Sequence, residues 1–334
     1  MPMIGVIMVK LITAFVLGLL SYASHLQAFH ESVKICKADT WYGYLWYDSS
    51  RLLVFYDVRS TTNRHGDPEL IEISSFALIN PYTGQSQEVP ALNKLWRQLG
   101  IPSNSHTTFE VCNGTLAIYT VQPPTGDRVE ATLFDLKANV PTTGLDWNGD
   151  FCLHSIGSET ELVGLDTSLD GAKPVRAAIY NITKKRYRYV DLPKGVPGRL
   201  IGFDKNGRGI AIASHEQGQK EEIEVVKFGW EKNSTVYRSQ PLLPQPDRYD
   251  NFEALLSPDS KRILWIFWKA KTEKSGTVWL WASDSYGKQM HSVAQFKVAI
   301  GPNSDYEAHS FRWMLDNKSA SYLQHGVFYK LLIP

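Results

Sequence analysis

Apolar runs of strand length, each closed by a polar turn, recur along nearly the whole chain, and their spacing follows the period of two expected of strands. The clearest unit begins at the turn Ser257-Pro258-Asp259-Ser260-Lys261 and runs into the aromatic-rich stretch Arg262 to Trp268. A loop from Lys271 to Gly276 leads to Thr277-Val278-Trp279-Leu280-Trp281, and the turn Ser283 to Lys288 leads to a last strand around Gln289 to Phe296. Four antiparallel strands within about 45 residues match one blade of a β-propeller.

Weaker copies flank this unit. Gly202 to Ala213, Glu222 to Phe228 and Ser234 to Arg238 form one. Thr108 to Cys112, the turn Asn113-Gly114, Thr115 to Val121 and Val129 to Leu136 form another. Asn-Gly between alternating apolar runs predicts a hairpin, because both residues accept positive φ. Phe151 to Ile156, Glu161 to Leu165, Val175 to Tyr180 and Arg186 to Leu192 make a third copy. The first unit spans Tyr42 to Val89. The last, from Ser310 to Ile333, has only three strands, and Glu31 to Ala38 stands unassigned before the first. Pairing that stretch onto the last three strands completes a sixth blade and closes the ring, leaving no blade unfinished. The expected fold is therefore an all-β, six-bladed propeller whose last blade is closed by the N-terminal strand, with a β-sandwich or solenoid as the alternative. Only Ala91 to Leu99 shows helical spacing.

The extreme N-terminus departs from this pattern. Leu11 to Leu20 is an apolar core with Lys10 before it and small residues at Ser21, Ala23 and Ala28 after it. That arrangement reads as a secretory signal cleaved after Ala23 or Ala28, so that residues 1–28 are a leader and 29–334 a single domain in the periplasm or outside the cell. Met1 to Val9 is apolar as well. With Lys10 tolerated inside, about 20 residues from Ile4 would span a bilayer, which makes an uncleaved N-terminal membrane anchor the alternative.

The chain carries a formal net charge of +1. Such a balance excludes bulk electrostatic binding to nucleic acid, which requires a basic face to displace counterions. The one basic cluster, Lys184-Lys185-Arg186 with Arg188, falls in an expected hairpin and reads as a solvated tip. Cys36, Cys112 and Cys152 allow at most one bridge, and their spacing to histidine suggests no metal site. Sequons at Asn113, Asn181, Asn233 and Asn317 all fall in expected turns. No nucleophile elbow, zinc-protease helix, P-loop or dinucleotide fingerprint occurs, and no cofactor is expected.

The stretch Ser257-Pro258-Asp259-Ser260-Lys261-Arg262-Ile263 resembles the Ser-Pro-Asp-Gly-Lys repeat of TolB-like and WD40-like propellers, with Ser260 in the glycine place. The copies at Asp204 to Ile210, Asp48 to Leu53 and Asp316 to Ser321 keep only turn and strand. The resemblance implies a propeller fold, an export compartment and binding of protein or ligand, and it implies no catalytic residue. A sialidase-type box is not met: Lys261 replaces glycine, Ile263 replaces threonine and Trp265 lies one position late.

A site on such a ring is expected at the mouth of the central channel, among the loops that enter each blade. Those loops hold the candidate ligand-binding residues Trp41, Tyr42, His106, Asp146, Trp147, Arg248, Tyr249, Tyr306 and His309. Tryptophan and tyrosine stack on sugars or bury peptide side chains, and arginine and histidine supply oriented donors. The expected function is non-catalytic binding of a protein, peptide or glycan. The alternative is a carbohydrate-active hydrolase or lyase with acid and base on separate blades, for example Asp146 and Glu307.

Overall fold

The computed structural model describes residues 32–62, 68–100, 106–121, 128–148, 151–156, 159–165, 176–194, 196, 199–217, 220–242, 246, 249–272, 275–299 and 310–334. The expected leader, residues 1–28, and the alternative membrane anchor lie outside this set. Among the described residues no helix is long and apolar enough to cross a membrane.

Six four-stranded antiparallel sheets make up the molecule. The N-terminal strand β1 (Val33–Lys37) belongs to the last of them. Blade one is β2 (Trp41–Trp46), β3 (Leu52–Thr62), β4 (Pro68–Ile79) and β5 (Ser86–Glu88), followed by helix α1 (Pro90–Leu99). Blade two is β6 (His106–Cys112), β7 (Thr115–Val121), β8 (Arg128–Asp135) and β9 (Val140–Asn148). Blade three is β10 (Phe151–Ile156), β11 (Glu159–Leu165), β12 (Arg176–Asn181) and β13 (Arg186–Asp191). Blade four is β14 (Arg199–Phe203), β15 (Gly209–Gln217), β16 (Lys220–Phe228) and β17 (Tyr237–Arg238). Blade five is β18 (Asn251–Leu256), β19 (Arg262–Thr272), β20 (Ser275–Asp284) and β21 (His291–Ala299). Blade six is β22 (Arg312–Trp313), β23 (Ser319–Gln324), β24 (Val327–Leu332) and, outermost, β1, in the order β1-β24-β23-β22.

The expected closure is thus present. Val33 pairs with Lys330 and Lys37 with Val327, so the first strand of the chain finishes the last blade. Beneath it Phe328 is fully buried, ringed by Trp41, Tyr44 and Trp46 at centroid distances of 5.6, 4.9 and 6.2 Å.

The repeated turns have a shared physical cause. Asp48 Oδ1 accepts the N–H groups of Ser50 and Arg51, Asp204 Oδ1 those of Asn206 and Arg208, and Asp316 Oδ1 those of Lys318 and Ser319. Each aspartate caps its own turn, which is why aspartate recurs there. In the Ser-Pro-Asp turn the Ser257 hydroxyl takes over part of that task, accepting from Lys261 and Arg262. Ser260 has φ +58°, the left-handed geometry that the glycine place requires. Asn113 and Gly114 likewise adopt φ of +50° and +80°, making the expected hairpin turn.

Two expectations change. The apolar pattern of blade two ends near Leu136, whereas the structure adds β9, whose Val140 pairs with Asp135 and Asn148 with Arg128. Asn181 closes strand β12 instead of lying in a turn, and its buried side chain donates to Glu161 and accepts from the Lys184 N–H. An inward-turned asparagine is not presented for glycosylation.

Candidate functional site

The innermost strands of the six blades, β2, β6, β10, β14, β18 and β22, surround a central cavity of about 1140 Å³. Residues of the turns after β14 and β18, Asp204, Lys205 and Gly207 and Ser257 to Ser260, also line it. Four of those strands bring a carboxylate or guanidinium group to the wall: Glu110 on β6, Arg199 on β14, Glu253 on β18 and Arg312 on β22. Between them lie the aromatic side chains of Tyr42, Phe55, Phe109 and Trp313. Acidic and basic groups therefore face one space from four different blades.

Glu110 has the most developed surroundings. Its Oε2 accepts from the Tyr119 hydroxyl and from the Leu153 backbone N–H, both at 2.6 Å. Burial pushes the carboxyl pKa above its ordinary value; the two donors and the Arg312 charge pull the other way without offsetting it. The same burial, with the nearby Glu110 charge, drives the Tyr119 hydroxyl and the Cys152 thiol well upward. The arginines are held by the blades themselves. Arg199 donates to the Phe252 carbonyl at 3.2 Å and lies 5.0 Å from the Phe252 ring centre. Arg312 donates to the Phe311 carbonyl at 2.7 Å. All three cysteines are unbridged, and Cys152 is buried. Among the described residues no cluster of histidine, cysteine and carboxylate could hold a metal ion.

The loop residues singled out from the sequence meet different fates. Tyr42 lines the cavity. Trp41, one residue earlier, packs on Phe328 at the junction of blades one and six. Tyr249 packs on Phe267 at 4.9 Å, inside the apolar layer shared by blades four and five. His106 opens β6 opposite Val121. Asp146 and Trp147, expected in an entry loop, belong instead to the outer strand β9, paired with Glu130 and Val129. Their pattern, with Pro141 and Gly144 close by, hides the strand. Arg248, Tyr306 and His309 lie outside the described residues, as does Glu307.

Glu110, Glu253 and Arg312 escape a reading that looks to loops. The signal for them is an ionisable residue inside the first strand of a blade, where a buried sheet would otherwise be apolar.

No family model and no curated protein matches the chain. Solved structures do resemble it. TolB from Acinetobacter baumannii superposes with a TM-score of 0.45 at 11% identity, over 87% of this chain and 65% of that one. An oligogalacturonate lyase in complex with manganese gives 0.44 at 9% identity over 90% of both chains. The tricorn protease gives 0.41 at 10% identity, over 87% of this chain and 29% of that one. Those likenesses concern the course of the chain alone. By its own sheet order and closure, the chain is a six-bladed β-propeller.

Proposed function

We propose that the chain is an exported, non-catalytic propeller that binds a protein, peptide or glycan at its central channel. The observation that carries this reading is the cavity of about 1140 Å³ walled by aromatic rings together with carboxylates and guanidinium groups from separate blades. A space of that size, mostly pre-formed and lined by apolar rings with a few polar groups, suits a ligand of several residues or sugars. The wall charges are engaged by the protein: Glu110 by Tyr119 and Leu153, Arg199 by Phe252, Arg312 by the Phe311 carbonyl. Groups held in this way orient a ligand more readily than they transfer protons. Of the loop candidates, Tyr42 lines the cavity, Trp41 and Tyr249 are taken up in blade packing and Asp146 and Trp147 belong to the outer strand β9, which leaves His106, Arg248, Tyr306 and His309 as candidates at the mouth.

One feature favours a second reading, a carbohydrate-active hydrolase or lyase. Glu110 is a carboxyl group with a raised pKa on a cavity wall that also carries Glu253, and such a group suits a general acid. A screen of oligosaccharides and peptides against the mature protein separates the two. Binding without turnover, weakened about tenfold or more by Tyr42→Ala or Arg199→Ala, supports the binding reading. Turnover abolished by Glu110→Gln with binding retained supports the enzyme. Binding untouched by Tyr42→Ala, Arg199→Ala and His309→Ala removes the channel as the site.

A further inference from the structure

In an up-and-down blade the turn after the first strand and the turn after the third lie on the same end of the ring. Over blades four, five, six and one these turns are joined side by side. The Tyr237 hydroxyl donates to the Tyr286 carbonyl, the Ser285 N–H to the Lys261 carbonyl and the Asp259 N–H to Asn317 Oδ1. β24 ends and β1 begins on this same end. Leu332 pairs with Ser319 beside the Asp316 turn, and Val33 pairs with Lys330, whose ammonium reaches Asp316. Tyr82, in the turn before β5, stands within reach of those two charges.

Two kinds of exposed side chain meet on this end. Val33, Tyr82, Tyr286, Leu315 and Leu332 are large apolar groups between 38% and 62% exposed. Such groups gathered on one end differ from the scattered apolar exposure of an ordinary surface, and they mark a place of contact. Among them stand exposed lysines, one or more from each turn: Lys205 and Lys232 in blade four, Lys261 and Lys288 in blade five, Lys318 in blade six. The aspartates of the same turns are spent locally. Asp204 accepts from Asn206 and Arg208, Asp284 from Tyr286 and Lys288, and Asp316 from Lys318 and Ser319. Glu231 is the exposed acid beside Lys232.

We propose that this end of the ring, over blades four, five, six and one, docks on an anionic lipid bilayer. Three features converge on that occupant. Tyrosine rings and leucine or valine side chains at turn tips enter the boundary between headgroups and acyl chains, where amphipathic rings are favoured. Lysines beside them are drawn to the negative potential of anionic headgroups. The apolar stretch Leu11 to Leu20 precedes β1 in the sequence, and β1 begins on this end. A leader held in a bilayer, before cleavage or as an anchor, therefore brings this end to the lipid. The groups are spread over turn tips from four blades, an extent that suits a surface better than one peptide. Lys205 and Leu315 also line the cavity and are left intact in the test, which keeps the inference apart from the proposed channel ligand.

The test uses the chain from residue 29 on, which holds every strand of the closed ring, and vesicles of phosphatidylcholine alone or with about 30% phosphatidylglycerol. Co-sedimentation is expected to show binding to the mixed vesicles about tenfold or more tighter than to the neutral ones, and weaker at about 0.5 M salt. The triple variant Lys232→Glu/Lys288→Glu/Lys318→Glu is expected to lose about tenfold or more of that binding. The matched variant Lys37→Glu/Lys271→Glu/Lys297→Glu changes exposed lysines toward the opposite ends of β1, β19 and β21, and is expected to bind as the native chain does. Tyr82→Ser/Leu332→Ser is expected to weaken binding about threefold or more with the salt dependence retained. Arg199→Ala in the channel leaves all of this unchanged. No binding to the mixed vesicles at about 1 mM lipid overturns the proposal. So do equal losses in the two triple variants, binding to which Tyr82 and Leu332 contribute nothing, or soluble polyglutamate binding as tightly as the vesicles, which would assign this end to an acidic protein.

Discussion

Among the junctions between blades that polar groups close at the inner rim, two are built from contrasting chemistry. Where blade six meets blade one, the Tyr44 hydroxyl lies 2.9 Å from both the Ser310 carbonyl and the Ser321 hydroxyl, and the Trp46 indole N–H donates to the same Ser321 oxygen at 2.9 Å. Where blade two meets blade three, the Glu110 carboxyl receives Tyr119 and Leu153. The first junction is neutral and sits on the buried ring of Phe328; the second places a titratable group, its pKa raised by burial, in the cavity wall. Both satisfy their donors. Only the second makes its strength depend on pH.

The largest effect is expected at the neutral junction. Phe328 is fully buried under three aromatic rings at the strand that closes the molecule. Phe328→Ala should cost about 3–5 kcal/mol, the transfer of the ring plus the cavity it leaves. Urea unfolding of the variant measures this; a loss below about 1 kcal/mol would mean that closure does not depend on this ring. Ser321→Ala should cost about 1–3 kcal/mol, because Trp46 loses its acceptor in a site with no access to water. That loss should be the same at every pH from acid to neutral.

The neutral junction is legible in outline from the chain's repeat pattern. A final unit with three strands and an unassigned N-terminal stretch leave one way to finish the ring, and β1 on β24 is that way. The turns are legible because their cause is local: Asp48, Asp204 and Asp316 bond to backbone two to four residues ahead, and Ser260 takes the left-handed φ of the glycine it replaces. β9 escapes because an outer strand has little to bury, so Pro141 and Gly144 can stand in it without an apolar alternation to betray it. The charged junction is illegible for another reason. Glu110 meets Leu153 across 43 positions of sequence, and nothing local marks a glutamate that a neighbouring blade will desolvate. Trp41 and Tyr249 show the same limit, since an aromatic residue before a strand looks alike whether it seals a junction or holds a ligand.

Glu110→Gln turns the charged junction into a neutral one. The amide oxygen can accept from both Tyr119 and Leu153, while the buried charge is gone. A carboxyl whose folded pKa is raised binds protons more tightly in the folded state, so the native protein loses stability as pH rises from the unfolded carboxyl value through the raised folded one. The variant should lack that decline. Its stability relative to the native chain should therefore grow across that window. Unfolding curves collected from acid to neutral pH test the sign; parallel pH profiles would show that Glu110 is not the titrating group.

The finest comparison makes one substitution in both junctions. Tyr44→Phe removes a hydroxyl from the neutral network, and Tyr119→Phe removes one from the carboxyl. Each should cost about 1 kcal/mol, the net worth of one buried hydrogen bond. The two losses should differ in shape. The Tyr119 hydroxyl holds the Glu110 pKa down, so without it the carboxyl rises further and the pH window of declining stability extends upward. Tyr119→Phe is then more damaging at neutral pH than in acid, whereas Tyr44→Phe costs the same in both, because no group in its network changes charge there. Equal pH profiles for the two variants would mean that the second junction behaves as a neutral network and that its carboxyl is already protonated throughout the range.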